Sequence, residues 1–163
     1  MTTVTCMLDK SKTVYIAGPM TGLPQFNVPL FDRQAARLRA VGYTVVSPAE
    51  LDSQPVRNYA LKSADGKLDE HNKIEGETWG DMLARDVKVI SDQVDAICVL
   101  PGWNNSRGAR LETFVALLCN KSIWQDVNLY NVGERSLGID EPAQLEELNR
   151  LDVVFAIARS FIR

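Results

Sequence analysis

The N-terminal part of the chain begins with an apolar run followed by a helical pattern. Residues 13–17 are apolar and rich in β-branched and aromatic side chains, and the run stops at Gly18-Pro19. This pattern predicts a buried first strand that ends in a tight turn. A second strand is predicted at residues 43–46, after a helix. Strand, helix and strand in this order, with a short connection from helix to strand, predict a parallel βαβ unit.

The intervening helix is predicted from apolar residues at helical spacing between positions 30 and 41. Asn27 is a candidate N-cap and Gly42 a candidate stop signal. The spacing places Arg37 and Arg39 away from the apolar face. The inward face is predicted to consist of Leu30, Phe31, Ala35, Leu38 and Val41.

The middle of the chain repeats the alternation of helix and strand. A helix is predicted at residues 79–90, a strand with a continuous apolar run at 95–100, and a helix from about 107 to 120. A fourth strand falls either at 122–124 or at 127–130, and the pattern favours neither. The inward face of the helix after residue 107 is predicted to consist of Leu111, Phe114, Val115, Leu117 and Leu118.

The remaining segments carry weaker patterns. Residues 51–78 are mostly polar and aperiodic and contain the single histidine, His71, to which we assign no role; this stretch predicts a mobile loop near the ligand. Two further helices are predicted at 141–148 and 152–161, and the apolar character of the second suits packing on the sheet or on a second subunit. Residues 1–12 are a short polar extension.

Together these elements predict a single α/β domain over residues 1–163. The expected architecture is three-layer and flavodoxin/Rossmann-like, with a parallel sheet of four to five strands flanked by helices. A length of 163 residues suits one domain rather than two.

Composition narrows the function classes. The net charge is −3 and the basic residues are scattered among acids, which argues against nucleic-acid binding. Three distant cysteines without metal-ligand spacing indicate a reducing compartment and no metal site, and Cys98 and Cys119 are expected in the core. The sequence contains no apolar signal segment or membrane span, so a cytoplasmic protein is expected. No cofactor is expected.

Two loops are expected where ligands bind in open parallel sheets, outside the carboxyl ends of the strands. The first follows the first strand and contains Gly18, Pro19, Met20 and Gly22, whose glycines would allow a ligand to approach the backbone. It lacks the glycine pattern of a dinucleotide fold and the lysine of a P-loop. A tight turn without a ligand is the alternative explanation.

The second loop, which includes Trp103 and Asn104, leads into the helix that carries Glu112. Free N–H groups at the start of this helix, near Ser106, Gly108 and Ala109, would attract an anion such as phosphate. In the alternative, Ser106 is only an N-cap and Glu112 a solvated helix residue. Spacing alone favours that alternative.

A resemblance to a known family changes this balance. The run from Tyr15 to Gly22, the residues Leu100-Pro101-Gly102-Trp103 and the pattern Ser106-x-Gly108-Ala109-x-x-Glu112 resemble the phage and bacterial nucleoside 2-deoxyribosyltransferase-like proteins of undescribed function (DUF4406). The resemblance covers roughly residues 13–125. It implies that Glu112 matches the glutamate that attacks the anomeric carbon of a deoxyribosyl group.

Such chemistry also needs a proton donor for the leaving base. A carboxylate stabilises the positive charge on the sugar and traps it covalently, and Asp86 is our candidate donor because a desolvated carboxyl can keep its proton near neutral pH. The alternative for Asp86 is a surface acid paired with Arg85 or Lys88, and the two interpretations carry equal weight.

The residue six positions before Glu112 bears on the substrate. Ser106-x-Gly108-x-x-x-Glu112 resembles the deoxynucleoside monophosphate N-glycosidases, whereas transferases acting on free nucleosides have an aspartate there. Serine accommodates a phosphate that aspartate would repel, so a 5'-monophosphate is the expected ligand, with Arg107 or Arg110 adding charge. The loop from Gly18 to Gly22 departs from the serine- and arginine-bearing loop of those glycosidases.

The expected function is therefore cleavage of the N-glycosidic bond of a nucleotide or nucleoside, by an N-glycosidase or a deoxyribosyltransferase. Tyr15, Met20 and Trp103 could wall the base, and ordinary core packing is their alternative role. Two alternatives for the whole protein remain: a non-catalytic nucleotide binder and an NAD-type glycohydrolase. The resemblance also implies a homodimer or a higher homo-oligomer.

Overall fold

The computed structural model describes residues 8–68, 77–131 and 142–162. The strands are β1 (Thr13–Ala17), β2 (Thr44–Val46), β3 (Ala96–Val99), β4 (Ser122–Asp126) and β5 (Leu145–Glu147). The helices are α1 (Val28–Ala40), α2 (Pro48–Leu51), α3 (Gln54–Lys62), α4 (Trp79–Gln93), α5 (Arg107–Leu118), α6 (Val127–Asn131) and α7 (Arg150–Arg159). Short 3-10 turns precede α1 (Pro24–Asn27) and α5 (Trp103–Asn105).

The strands form one sheet in the order β2-β1-β3-β4-β5. The first four pair in parallel, and β5 pairs antiparallel with β4. This is the flavodoxin-like order, so the three-layer α/β prediction is confirmed. The fifth strand lies at an edge, where an antiparallel addition is common in otherwise parallel sheets.

Alternate residues of β1 supply the two halves of the core. Val14 and Ile16 pack with α1, α2 and α3 on one face, and Tyr15 and Ala17 pack with α4, α5 and α7 on the other. The period-two alternation of strand side chains produces this division. Tyr15 therefore points toward the layer that holds α4 and α5.

The limits of several helices follow from local chemistry. The stop signal at Gly42 is confirmed, with φ +105 just after α1, a conformation that favours glycine. Thr78 and Asp81 form a reciprocal capping box that starts α4. Asn27 occupies the N-cap position of α1, but its side chain instead donates from Nδ2 to the Pro19 carbonyl at 2.9 Å. The predicted N-cap thus ties the first loop to α1.

Three predicted segments differ in the structure. Within the expected loop at 51–78, α2 ends at Leu51 and α3 spans Gln54–Lys62. The part of this stretch at 69–76, with His71, falls outside the described residues. The fourth strand is the earlier of the two alternatives, and residues 127–131 form α6. Residues 145–147 form β5 rather than part of a helix, because they pair with β4. The predicted helix at the C-terminus is confirmed as α7.

The inward face of α5 was predicted only in part. Leu117 is buried and Val115 packs against the core as predicted, but Leu111, Phe114 and Leu118 are exposed. The other buried positions are Ala109, Glu112, Thr113 and Ala116. The helix carries apolar side chains on both sides, and its smaller side chains face α4 and the sheet. Cys119, expected in the core, is also exposed, while Cys98 is buried as predicted.

Arg37 was expected to face away from the core, and the structure buries it. Its Nη2 contacts Asp126 Oδ2 at 2.8 Å, and Gln34 Nε2 donates to the same oxygen at 3.1 Å. Arg37 is 2% exposed and Asp126 is fully buried. A buried positive charge needs a negatively charged partner, and Asp126 at the end of β4 supplies it.

In the part of the chain that the structure describes, no helix is both long and apolar enough to cross a bilayer.

Candidate active site

The candidate site lies at the carboxyl ends of β1 and β3, which are adjacent in the sheet. The chain leaves β1 toward α1 on one face and leaves β3 toward α5 on the other. Such a reversal creates the crevice in which open α/β sheets bind ligands. The two predicted loops meet here, since a Cβ built on Gly102 would lie 3.5 Å from Pro19 Cγ.

Contacts within the protein explain the two glycines of the first loop. A Cβ on Gly18 would lie 2.7 Å from Leu100 Cβ, closer than real Cβ contacts. Gly22 has φ +85, and its N–H donates to the Gly66 carbonyl at 2.9 Å. Both glycines therefore have a structural cause, and the ligand approach expected from sequence stays a prediction.

Glu112 is buried within the α4–α5 layer. It is 6% exposed and lies on the same face of α5 as Ala109 and Ala116. The Tyr15 hydroxyl donates to Glu112 Oε1 at 2.9 Å. The alternative that Glu112 is a solvated helix residue is wrong.

Asp86 is also buried, at 6% exposure, on the inner face of α4. Its Oδ1 lies 2.8 Å from Arg85 Nε, and Arg85 Nη1 in turn lies 3.0 Å from Asp52 Oδ1. Pairing with Arg85 is thus observed, but not at the surface, and Lys88 pairs with Asp92 instead. The two predicted carboxyl groups share one buried network with Tyr15.

Burial and mutual repulsion shift the carboxyl groups of this network. Burial, and then the charge of Asp86, raise the pKa of Glu112 to about 8, although the Tyr15 hydrogen bond and Arg85 oppose the shift. Burial likewise raises the pKa of Asp86, opposed by its hydrogen bond to Arg85. Two neighbouring carboxyl groups whose pKa values are both raised share a proton near neutral pH, which suits acid–base chemistry.

The start of α5 combines a cap with open space. Ser106 Oγ accepts from the Ala109 N–H at 3.3 Å, so the N-cap role is observed. A Cβ on Gly108 would meet no atom within 4 Å, and Asn104 is half-buried in the preceding 3-10 turn. The first turn of α5 therefore has room beside its N–H groups.

The two arginines near this turn have different surroundings. The guanidinium carbon of Arg107 lies 5.2 Å from the centre of the exposed Trp79 ring, at the start of α4. Arg110 bonds Ser106 O and Ser160 and stacks on Phe161, beyond the end of α7. Arg107 is consequently the better placed of the two for a ligand at the α5 start.

The predicted base-wall residues do not share one environment. Trp103 is 7% exposed and packs in the α4–α5 layer, as Tyr15 does, whereas Met20 packs against the opposite core. Core packing, the alternative role, is therefore observed for Tyr15 and Trp103.

Sequence reasoning missed Asp52 and the bridging role of Arg85. Asp52 lies just after α2, within the segment predicted as a loop, and no local signal marks it. The sequence predicts Arg85 only as a surface partner of Asp86. Both are apparent only in the folded chain, where Arg85 on α4 contacts the residue that follows α2.

Comparison with known proteins gives one result. A family model described as a domain of unknown function (DUF4406) matches residues 12–125. No curated protein and no solved structure matches the chain.

Proposed function

The chain belongs to the DUF4406 family, whose function is unknown, and from the geometry of its site we propose that it cleaves the N-glycosidic bond of a deoxynucleoside 5'-monophosphate. The reaction would be hydrolysis or transfer of the sugar to a second base, with Glu112 as nucleophile. The observation that carries the proposal is the buried Glu112 carboxyl, which accepts a hydrogen bond from Tyr15 on β1 and is near enough to Asp86 for the Asp86 charge to raise its pKa. The resemblance to nucleoside 2-deoxyribosyltransferases supports it.

In the proposed reaction, the Glu112 carboxylate attacks the anomeric carbon as the bond to the base breaks. The departing base takes the bonding electron pair, and Asp86 supplies a proton to it. A water molecule or a second base then attacks the glycosyl ester and restores the Glu112 carboxylate. The low exposure of both carboxyl groups strengthens their interaction with the positive charge that develops on the sugar.

The substrate class rests on the start of α5. The helix N-terminus, the Ser106 hydroxyl and the open space at Gly108 suit a phosphate group. Arg107, on the first residue of the same helix, adds a positive charge nearby. A phosphate here would hold the nucleotide with its sugar toward Glu112, which lies six residues after Ser106.

The direct test is to incubate the protein with each deoxynucleoside 5'-monophosphate and to measure the released base by chromatography. We expect release by the wild-type protein, loss of release in Glu112→Gln, and retention in Glu147→Gln, which changes an exposed glutamate on β5. Base release undiminished in Glu112→Gln would refute the assigned nucleophile.

One observation favours a second function, a protein that binds a nucleotide without cleaving it. Burial raises the pKa of Glu112 to about 8, which favours the protonated form at neutral pH, and a neutral carboxyl is a hydrogen-bond donor rather than a nucleophile. Tight binding that raises the melting temperature, without base release, would identify this function. Nicotinamide release from NAD in the same assay would instead identify a glycohydrolase.

We also propose that the protein self-associates through α5 and α7. These helices expose a set of large apolar side chains, namely Leu111, Phe114, Leu118, Leu151, Val154 and Phe155. Large exposed apolar surfaces are typical of protein interfaces. Light scattering on the purified protein would show a dimer or larger species, and Phe155→Glu would shift it toward the monomer; a monomeric wild-type protein would refute the proposal.

A further inference from the structure

Arg85 bridges two buried carboxyl groups that come from different parts of the chain. Its Nε lies 2.8 Å from Asp86 Oδ1 and its Nη1 lies 3.0 Å from Asp52 Oδ1. The Asp52 and Asp86 side chains are 8% and 9% exposed, and the Arg85 side chain is 26% exposed. The guanidinium is therefore held at two points, one on α4 and one after α2.

The network has more acids than bases. Asp52, Asp86 and Glu112 contribute three carboxyl groups, and Arg85 contributes one positive charge beside them. Two charges outside this set also act on the pKa of Asp52: Glu77 raises it and Arg57 lowers it. Their effects are smaller than those of burial and of Arg85. Full ionisation of three neighbouring buried carboxyls is unfavourable, so the network retains a proton near neutral pH.

The hydrogen-bond donors decide which carboxyl holds that proton. Asp52 and Asp86 each bond the charged guanidinium of Arg85, and such a bond favours the ionised carboxylate. Glu112 instead accepts from the uncharged hydroxyl of Tyr15. Glu112 is consequently the carboxyl on which the proton is most stable.

We propose that Arg85 is a positioning residue: anchored by Asp52, it keeps Asp86 ionised and so places the shared proton on Glu112 in the ligand-free protein. The placement of the proton is a property of the free protein. Its role in turnover rests on the proposed function.

During turnover the shared proton has to move from Glu112 to Asp86. The Tyr15 hydroxyl links the two carboxyl groups, because it bonds Glu112 and its hydrogen bond with Asp86 opposes the rise in the Asp86 pKa. Positive charge developing on the sugar favours the Glu112 carboxylate, so the Glu112 proton passes to the Tyr15 oxygen while the Tyr15 proton passes to Asp86. Glu112 then forms its bond to the anomeric carbon, and the leaving base takes the proton from Asp86. The nucleophile is thus neutral until a substrate is bound.

The test is a pH titration of the full-length protein with ¹³C-labelled aspartate and glutamate carboxyl groups, followed by NMR. The Asp86 and Glu112 resonances are assigned with Asp86→Asn and Glu112→Gln. In the wild-type protein Asp86 should ionise at lower pH than Glu112, and in Arg85→Gln the order should reverse. The proposal is overturned if Asp86 ionises after Glu112 in the wild type, or if Arg85→Gln leaves the order unchanged.

A second pair of variants covers the case in which Arg85→Gln does not fold. Asp52→Asn and Asp52→Ala both remove the charge of Asp52, but only Asn keeps an oxygen that can accept from Arg85 Nη1. Asp52→Asn should preserve the wild-type order, and Asp52→Ala should bring the two titrations closer together. Identical titrations in the two variants would refute the anchoring role of Asp52.

Base release measured on the same proteins separates this inference from the proposed function. Removing the cation should move the pH optimum of kcat/KM upward by about one unit in Arg85→Gln, because a nearby positive charge lowers carboxyl pKa values. Lys88→Gln, an exposed position on α4, should leave the optimum unchanged. If no base is released but Asp86 and Glu112 ionise in the expected order, the proposed function alone is refuted. If base is released but Arg85→Gln changes neither the pH optimum nor the order of ionisation, the inference alone is refuted.

Discussion

The Tyr15 hydroxyl donates a hydrogen bond to Glu112 Oε1 across 2.9 Å, although 97 positions separate the two residues in the chain. The contact joins β1 to α5, and both groups are buried. It fixes one oxygen of the Glu112 carboxyl group.

Tyr15→Phe should reduce kcat/KM for base release by about 10- to 100-fold. A hydrogen bond to a charged group contributes roughly 1.5–3 kcal/mol, and the variant keeps the buried ring while removing the hydroxyl. Tyr43→Phe is a matched control, because that buried hydroxyl donates to Leu8 O on the opposite side of the sheet. Equal activities of the two variants would contradict a role for the Tyr15 hydroxyl.

Glu112→Gln should change how stability depends on pH. Because folding raises the pKa of Glu112 from 4.5 to about 8, the folded protein binds the proton more tightly than the unfolded chain does. The resulting stabilisation is complete below about pH 4.5 and is lost as the pH rises to about 8. The free energy of unfolding lost over this range is on the order of a few kcal/mol.

The measurement is the free energy of unfolding in urea at several values between pH 5 and 9. The wild-type protein should lose stability across this range, and Glu112→Gln should lose less. Asp52 and Asp86, whose pKa values are also raised, act in the same direction, so the difference between the proteins is the relevant quantity. Parallel curves for the two proteins would show that Glu112 does not titrate in this range.

Gly108→Ala should separate folding from phosphate binding. Its new Cβ meets no atom within 4 Å, and alanine is the better helix former by up to about 1 kcal/mol, so the melting temperature should hold or rise. The same methyl group would occupy the space proposed for the phosphate. We expect KM for the monophosphate to rise about tenfold, equivalent to one lost charged hydrogen bond.

Unaltered KM in a folded Gly108→Ala protein would place the phosphate elsewhere. Nucleosides without phosphate serve as the internal comparison, because their binding should not depend on this turn.

Arg37→Met should destabilise the fold by roughly 3–5 kcal/mol, since it leaves the Asp126 carboxylate buried without its cation. Arg39→Met, two residues later on α1, removes an exposed ion pair with Glu50 and should cost less than about 1 kcal/mol. Urea unfolding at neutral pH measures both. Similar losses in the two variants would mean that the buried pair adds little.

The sequence by itself determined the elements whose signals are local. Apolar periodicity identified β1, α1, α4 and β3, and their order predicted the parallel sheet. The cap at Ser106 and the stop at Gly42 depend on bonds within a few residues, so they too were visible in the sequence. The motif that contains Glu112 is also local, so it identifies this residue without reference to tertiary contacts.

Only the tertiary structure decided which side chains are buried and what they contact. The apolar pattern of α5 fits either side, so packing against α4 determined that Glu112, and not Leu111, faces inward. Burial of Arg37 depends on Asp126, 89 positions later, and the bridge through Arg85 depends on Asp52, 33 positions earlier. Hydrophobic periodicity reports neighbours three or four residues apart, whereas the charge state of a buried carboxyl depends on groups that only the folded chain brings together.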